Sequence, residues 1–384
     1  MRLAVLTTHP IQYYGPLFRE LARRVDLKVL FAHWASPDEQ GRAGFGHAFD
    51  WDIDITGGYA HSFLANTARR PGTDTFRGCD TPDIGERLRA GGYDALLLTG
   101  WGSKTYLQGL LAAKRLGLPV LVRGDSHLGT PRSTARTALK ACLYPAFLRM
   151  FDAAAYVGAR SRAYYAHYRY PAERLFFSPH CVDTGRFAAG ATPEAREGLR
   201  RRLGIGAATP VALLAGKLIV RKRPFDLVTA AASCRRRGVP VEILVAGSGP
   251  LEEEIAAAAA RAEVPMHRLG FCNQSRLPEV YAASDCLVLA SDIETWGLVA
   301  NEALACNRPI VVSDACGCVP DLTQDPLAGR SFRTGDPDAL SDALTRVITM
   351  TRTEAPRALA QRYGLSAATD GIEAALQSVR RRRP

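Results

Sequence analysis

Two doubly wound α/β sheets, one in each half of the chain, are predicted by three observations. Short, almost unbroken apolar runs recur along all 384 residues. Each is followed by a segment whose apolar positions repeat every three or four residues. Around Phe187–Pro210 this rhythm gives way to Ala, Gly, Thr, Glu and Arg. Continuous apolar strands alternating with amphipathic helices belong to parallel sheets covered on both faces. The compositional break marks a linker.

The elements follow in order. Leu3–Thr8, Leu27–Phe31, Ala95–Thr99, Val120–Arg123 and Ala153–Val157 read as strands, with helices between them such as Gly15–Arg24, Lys104–Leu116 and Ala159–Tyr168. Past the linker, Val211–Ala215, Val241–Ala246, Cys286–Ala290 and Ile310–Ser313 are strands. Pro224–Arg237, Leu251–Ala262, Gly297–Cys306 and Pro337–Met350 carry the helical period. The division is a Rossmann-like domain over 1–186, a hinge over 187–209 and a second Rossmann-like domain over 210–365. A helix over 366–384, with a basic tail, is expected to return toward the first domain. The segment Trp34–Arg77 is rich in loops and yields no pattern.

Composition narrows the function. Hydrophobic residues make up 47% of the chain, with 34 Gly and 23 Pro, which suits a compact α/β protein rich in turns. No apolar run approaches a membrane span, and the N-terminus reads as a first buried strand with no signal peptide. Nine cysteines at irregular spacing, several inside apolar runs, read as reduced buried thiols of a cytoplasmic protein. The pair Cys316 and Cys318 lacks a second pair at zinc-like spacing, so no metal is assigned. The formal charge is +11, dominated by Arg. Nucleic acid is not the expected partner, because no aromatics interleave with the basic residues. A phosphorylated substrate or an anionic membrane face suits the charge better.

Four segments of the second half carry chemistry. Gly216-Lys217-Leu218-Ile219-Val220-Arg221-Lys222 follows a strand and sets two lysines before the next helix, where cations meet a diphosphate. Gly247 and Gly249 form a strand-to-helix turn without the spacing of the dinucleotide fingerprint. Gly270-Phe271 ends another strand and offers main-chain groups to a base edge. Glu294-Thr295-Trp296-Gly297-Leu298-Val299-Ala300-Asn301-Glu302 puts a carboxylate on each side of a glycine turn and a helix start. Backbone N–H groups at such a start favour a phosphate, and the acids accept from hydroxyls. Amides for phosphate beside acids for hydroxyls suggest a nucleotide-sugar ligand. Each segment alone also fits an ordinary turn or capped helix.

The ordered set of motifs, G-K-L-x3-K, V-A-G-S-G-P, L-G-F and A-S-D-C-L-V-L-A-S-x2-E-x7-E-A-L-A-C-x2-P-I-V, resembles the retaining nucleotide-sugar glycosyltransferases of family 4. The resemblance is strong over the C-terminal half and looser over the N-terminal half. It implies a GT-B type fold, two Rossmann-like domains facing across a cleft. It also implies that Lys217 and Lys222 neutralise the leaving diphosphate. Glu294 would grip the donor sugar and Glu302 the ribose. The backbone of Gly297, Leu298 and Val299 would lie under the distal phosphate. Arg223 stands where the family usually has Gly. The acceptor side would come from the first half: His9 and Gln12 after the first strand, Trp101 on another strand-end loop, and Arg123, Asp125 and His127 on a third. His127 is the expected cleft histidine, contacting sugar or phosphate and grouped with Lys217, Lys222 and Glu294 as catalytic, or else an ordinary turn histidine. His180 and Cys181 replace the Asn-Gly of the usual P-N-G-V-D segment.

Asp50-Trp51-Asp52-Ile53-Asp54-Ile55 contains D-x-D, which holds a metal-bound diphosphate in other transferases. Strict alternation with apolar residues reads instead as a half-exposed strand with its acids on one face.

The expectation is a metal-independent, cofactor-free retaining transfer from a nucleoside diphosphate sugar to a saccharide or lipid-linked acceptor hydroxyl, in glycan, polysaccharide or glycolipid biosynthesis. Rival readings are a nucleotide-sugar epimerase on the same fold and a non-catalytic nucleotide-sugar-binding subunit. The basic stretch Arg132–Met150 reads either as a face for an anionic bilayer, on the inner side of the membrane, or as a helix with a solvated basic face.

Overall fold

The computed structural model describes residues 1–42, 44, 46–130 and 133–380. The chain divides into two compact units. Unit 1 comprises Met1–Glu39, Asp54–Cys181 and Leu365–Pro384; unit 2 comprises Gln40–Ile53 and Val182–Gly364.

Unit 1 is built on seven parallel strands: β1 (Arg2–Thr7), β2 (Asp26–Phe31), β3 (Ala60–Phe63), β4 (Ala95–Leu98), β5 (Val120–Gly124), β6 (Ala153–Tyr156) and β7 (Leu175–Phe177). Their order is β3-β2-β1-β4-β5-β6-β7, so the winding reverses between β1 and β4. Every pair is parallel. Side-chain alternation divides the core. Leu3 and Val5 pack with Leu17, Phe18, Ile372 and Leu376 on one face. Ala4 and Leu6 pack with Leu96, Leu98 and the buried tyrosines Tyr164 and Tyr165 on the other. The helix Leu365–Arg380 belongs to this unit and lies against β6 and β7. A Cβ at Gly371 would fall 1.8 Å from the Phe177 carbonyl, so only glycine allows that approach.

Unit 2 holds six parallel strands: β8 (Val211–Ala215), β9 (Glu242–Ala246), β10 (Met266–Arg268), β11 (Cys286–Leu289), β12 (Ile310–Ser313) and β13 (Gly329–Phe332). The order β10-β9-β8-β11-β12-β13 reverses between β8 and β11. Ligands of open α/β sheets bind outside the C-terminal strand ends at such a reversal. The stretch 187–209 lies in unit 2. It contains the helix Pro193–Leu203, and Phe187 just before it is buried against Tyr281.

One local expectation is corrected, and four edge strands are added. The edge strands β3, β7, β10 and β13 have three or four residues each and little apolar pattern, so periodicity did not reveal them. Residues 50–55 form no strand. Asp52 instead accepts from the Ser275 backbone N–H at 3.0 Å, and Asp54 accepts from Thr56 and Gly57 at 3.0 and 2.7 Å in a tight local turn. A local turn at Asp54 and a long-range bond at Asp52 have overridden the alternating pattern.

The basic stretch forms the helix Thr134–Leu148; Arg132 and Arg381–Arg383 lie outside the described residues. Lys140 does not face solvent as a free cation. Its ammonium sits 4.2 Å from the Tyr144 ring centroid and 4.8 Å from that of Tyr164. Leu139 and Leu143 are 60% and 55% exposed, one turn apart. Among the described residues no helix is long and apolar enough to cross a membrane.

Candidate functional site

The C-terminal strand ends of unit 2 gather the predicted donor-side residues. Gly216 follows β8 with φ +125°, and its N–H donates to the Ala246 carbonyl at the end of β9. Gly247 donates to the Gly270 carbonyl at 2.7 Å, and Leu218 donates to the Ser248 carbonyl at 2.9 Å. These bonds lace three successive strand-end loops together. The glycines serve that lacing. A Cβ at Gly247 would lie 1.8 Å from the Gly216 carbonyl oxygen, and one at Gly249 2.6 Å from that of Leu218. Close approach of backbone to backbone is the reason for glycine here.

Across the reversal, the loop after β11 is tied to the lysine loop by the Asp292 N–H, which donates to the Arg221 carbonyl at 2.8 Å. That tie brings Lys222 onto Glu294, and their side chains form an ion pair, both largely buried. Lys217 and Lys222 line one small hollow with Leu214, Ala215, Val288 and Leu289. Burial, followed by the cations Arg221 and Lys222, lowers the pKa of Lys217, and Glu294 opposes this. The hollow therefore concentrates positive charge in a partly desolvated place, which an anion relieves.

Gly297, with φ +102°, turns the chain into the helix Leu298–Ala305. A Cβ there would meet the Leu289 side chain at 2.6 Å. The turn is braced from behind. Gly317 donates to the Glu294 carbonyl at 2.9 Å and Cys318 to that of Trp296 at 3.3 Å. Cys316 and Cys318 are buried thiols outside any disulfide, and Cys316 Sγ lies 3.3 Å from the Ser313 hydroxyl. Glu302 is 1% exposed, and its carboxylate accepts from the Tyr281 hydroxyl at 2.6 Å. Leu298 and Val299 stand in the first turn of the helix. Among the described residues no group of three or more His, Cys, Asp or Glu is arranged to hold a metal.

Arg223 occupies a left-handed conformation, φ +47°, immediately before the helix Pro224–Arg236. A non-glycine residue there costs about 1–2 kcal/mol. Its guanidinium donates to Asp226 at 2.6 Å and to Asp292 at 3.2 Å, one acid in the helix that follows and one on the loop after β11.

Phe271 is contacted by a segment the sequence left unread. The Phe49 and His47 rings lie 4.5 and 4.7 Å from the Phe271 centroid. Asn273 anchors the segment by donating to the Asp50 carbonyl at 2.6 Å. The aromatic spacing 47, 49, 51 was the available signal. Tyr281 was the other omission; its place beside Glu302 is a tertiary fact with no local signature.

In unit 1 the predicted acceptor-side residues cluster at strand ends but differ in openness. Arg123 is 4% exposed and spends its donors on the chain, giving Nε to Ser178 Oγ at 3.0 Å and a terminal nitrogen to the Pro179 carbonyl at 2.6 Å. Trp101 packs among Phe147, Phe151, Tyr164 and Tyr165. His127 is buried, and its Nδ1 accepts from the Gly129 N–H at 3.1 Å, which assigns the ring proton to Nε2. Asp125 lies 3.6 Å from His180, and burial lowers the pKa of that histidine. His9 and Gln12 are half-buried. Burial, then the nearby His33, pushes the His9 pKa down to about 4, against a smaller opposing effect of Glu39.

Unit 2 is thus a doubly wound α/β body that sets cations and a helix start at its strand-order reversal. Residues 195–363 match the family model for glycosyl transferases group 1. It is 31% identical over 216 residues to an alpha-D-kanosaminyltransferase of Streptomyces kanamyceticus, covering 53% of this chain and 54% of the relative. It is 29% identical over 238 residues to a GDP-mannose-dependent alpha-(1-6)-phosphatidylinositol monomannoside mannosyltransferase of Mycolicibacterium smegmatis, covering 60% of each. The chain thus spans little more than half the length of these curated relatives. The fold is shared with the crystal structure of Anabaena HepE in complex with UDP. There the TM-score is 0.73 at 17% identity, over 98% of this chain and 100% of that one.

Two outcomes follow from the geometry. Because alanine keeps the left-handed strain and glycine removes it, Arg223→Ala will be less stable than Arg223→Gly by about 1 kcal/mol in urea unfolding. For His9 the unfolded chain takes up a proton near pH 6.5, whereas the folded chain waits until about pH 4. Stability therefore falls as pH drops through that window. His9→Gln will flatten the fall by up to about 3 kcal/mol, measured by denaturant midpoints from pH 7 to 4.

Proposed function

We propose that the chain transfers a sugar from a nucleoside diphosphate sugar to an acceptor hydroxyl with retention at the anomeric carbon. The observation that carries this reading is the meeting of Lys217, Lys222 and Glu294 at the β8–β11 reversal, with the Gly297 helix start on the same loop as Glu294. The bond from the anomeric carbon to the diphosphate breaks, and the electron pair leaves with the diphosphate. The lysine ammonium groups and the backbone N–H groups at the helix start stabilise that growing negative charge. Glu294 accepts from sugar hydroxyls once the ligand draws Lys222 toward phosphate, and Glu302 orients the ribose. The acceptor oxygen bonds to the anomeric carbon from the face the diphosphate leaves, and its proton passes to a donor phosphate oxygen. No protein nucleophile is required.

The curated relatives act with GDP-mannose on a phosphatidylinositol monomannoside, or as a kanosaminyltransferase, and HepE was crystallised with UDP. We carry over the general class, a nucleotide-sugar donor with a saccharide or lipid-linked acceptor. Acceptor contacts are assigned to the unit 1 strand ends, above all Asp125 and His127.

Lys222→Ala and Glu294→Ala will keep the far-ultraviolet spectrum of the parent and lose at least about 100-fold in transfer, tested with UDP-, GDP- and dTDP-sugars. Transfer at parental rate in both variants overturns the assignment. Epimerised donor without acceptor would favour the isomerase reading, and tight nucleotide binding with no turnover the binding-subunit reading.

Peripheral membrane contact is a second reading, favoured by the exposed pair Leu139 and Leu143 beside exposed Arg136. Vesicles rich in anionic lipid will retain the protein at low salt, and Leu139→Asp with Leu143→Asp will abolish retention in a sedimentation assay.

A further inference from the structure

The opposite edge of unit 2, at the N-terminal ends of its strands, collects charge of one sign. Four guanidinium groups, those of Arg196, Arg200, Arg308 and Arg352, surround the single carboxylate of Asp285. Pro210, Asp285 and Pro309 immediately precede β8, β11 and β12, so this edge is remote along the strands from the lysine loop.

Three of the four arginines are accounted for by their partners. Arg196 donates to the carbonyls of Ala282 and Ser284 at 2.9 and 2.8 Å and to Asp285 at 2.8 Å. Arg200 donates to the carbonyls of Ala283, Gly206 and Thr209. These carbonyls lie at the end of the helix Leu277–Ala283 and in the turn before β8, where cations are ordinarily favourable. Arg352 pairs with Asp285. Asp285 also accepts from the Val211 N–H at 2.8 Å, which fills its remaining capacity.

Arg308 is the exception. Its guanidinium has no hydrogen-bond or ion-pair partner among the described residues, and its Nε is buried. Burial, then Arg352 and Arg196, pushes its pKa down to about 10, more than Asp285 offsets. It lines a hollow of about 180 Å³ together with Arg196, Asp285, Asn307, Arg352 and Thr353. A half-buried cation beside other cations, unpaired while each neighbouring guanidinium has carbonyl or carboxylate partners, is an unfavourable arrangement that one anion would relieve. Planar guanidinium groups bind oxyanions through paired N–H donors.

We propose that this hollow is a binding site for a small oxyanion, inorganic phosphate or the phosphate group of a monoester, distinct from the lysine hollow at the other end of the strands. Occupancy joins the loops before β8, β11 and β12 to the segment around Arg352, so the anion acts as a stabiliser of unit 2. The site stands independently of the transfer reaction, since no residue in it belongs to the donor groove.

The test uses the full chain with Lys217→Ala and Lys222→Ala, which removes phosphate binding at the donor groove. Thermal midpoints are recorded against inorganic phosphate and against glycerol 3-phosphate, with sodium chloride at matched ionic strength as control. Saturable rises of roughly 2–4 °C at ten times the dissociation constant are expected with an oxyanion and none with chloride. A response to phosphate alone identifies the free ion as ligand, and a stronger one to glycerol 3-phosphate identifies a monoester. Adding Arg308→Met keeps the stem packing, removes the surplus charge and should weaken either response at least about 10-fold, while the anion-free protein melts at or above the parent. Arg352→Ala, at an exposed position, gives a second variant expected to weaken binding without unfolding the chain. Absence of a saturable response, or a response unchanged by both arginine substitutions, overturns the proposal.

Discussion

The reversal of strand order between β8 and β11 is the constraint on which the donor-side arrangement of unit 2 depends. Neighbouring connections leave in opposite directions there, and two loops must meet without a helix between them. The polypeptide solves this with main-chain hydrogen bonds. Gly216 binds Ala246, Gly247 binds Gly270, and Asp292 binds Arg221. A side chain at Gly247 would collide with the Gly216 carbonyl and one at Gly249 with that of Leu218, so the lacing is incompatible with most sequences. Once the loops are laced, Lys222 has little choice of partner and meets Glu294. Under the proposed transfer reaction this charge pair is exchanged for contacts to phosphate and to sugar hydroxyls.

The same logic orders the supporting turn. Ser313 donates to the Ser291 carbonyl at 2.6 Å, and Gly317 reaches Glu294, so the end of β12 props up the loop that follows β11. Rigid main-chain bracing behind a functional loop holds polar groups in place before any ligand arrives. The small side chains of the Ala315-Cys316-Gly317-Cys318 stretch are explained by that bracing. A Cβ at Gly317 would fall 1.8 Å from the Thr295 carbonyl.

Much of this was legible in the residues alone, and the reasons are physical. Buried parallel strands such as Val211–Ala215 and Ile310–Ser313 must be apolar on both faces, so they stand out. The lysine loop and the acid-flanked glycine turn could be read because phosphate chemistry uses few residue types at strand ends. Edge strands such as Gly329–Phe332 were illegible, since a short ladder with one neighbour demands little of its side chains. The role of Asp52 was hidden because its partner, Ser275, lies far along the chain and marks no pattern. Arg123 shows the limit from the other side. A strand-end arginine looks available to a ligand, yet this one is consumed by the carbonyls that shape the Ser178–Pro179 turn. Burial depends on which loops fold over a side chain, and that information is spread across the whole sequence.

The helix Leu365–Arg380 gives the chain a particular timetable. Unit 1 begins earlier in the sequence than unit 2, but its sheet is covered on one face by residues made after the main segment of unit 2. Until they emerge, Ile372, Leu376 and Val379 are missing from the surface they finally cover, and β7 lacks the partner that fits against Phe177. Unit 2, whose main segment is contiguous, has no such wait. Synthesis therefore runs opposite to completion. The main segment of unit 2 is complete along the chain before the helix that finishes the unit 1 core has been made.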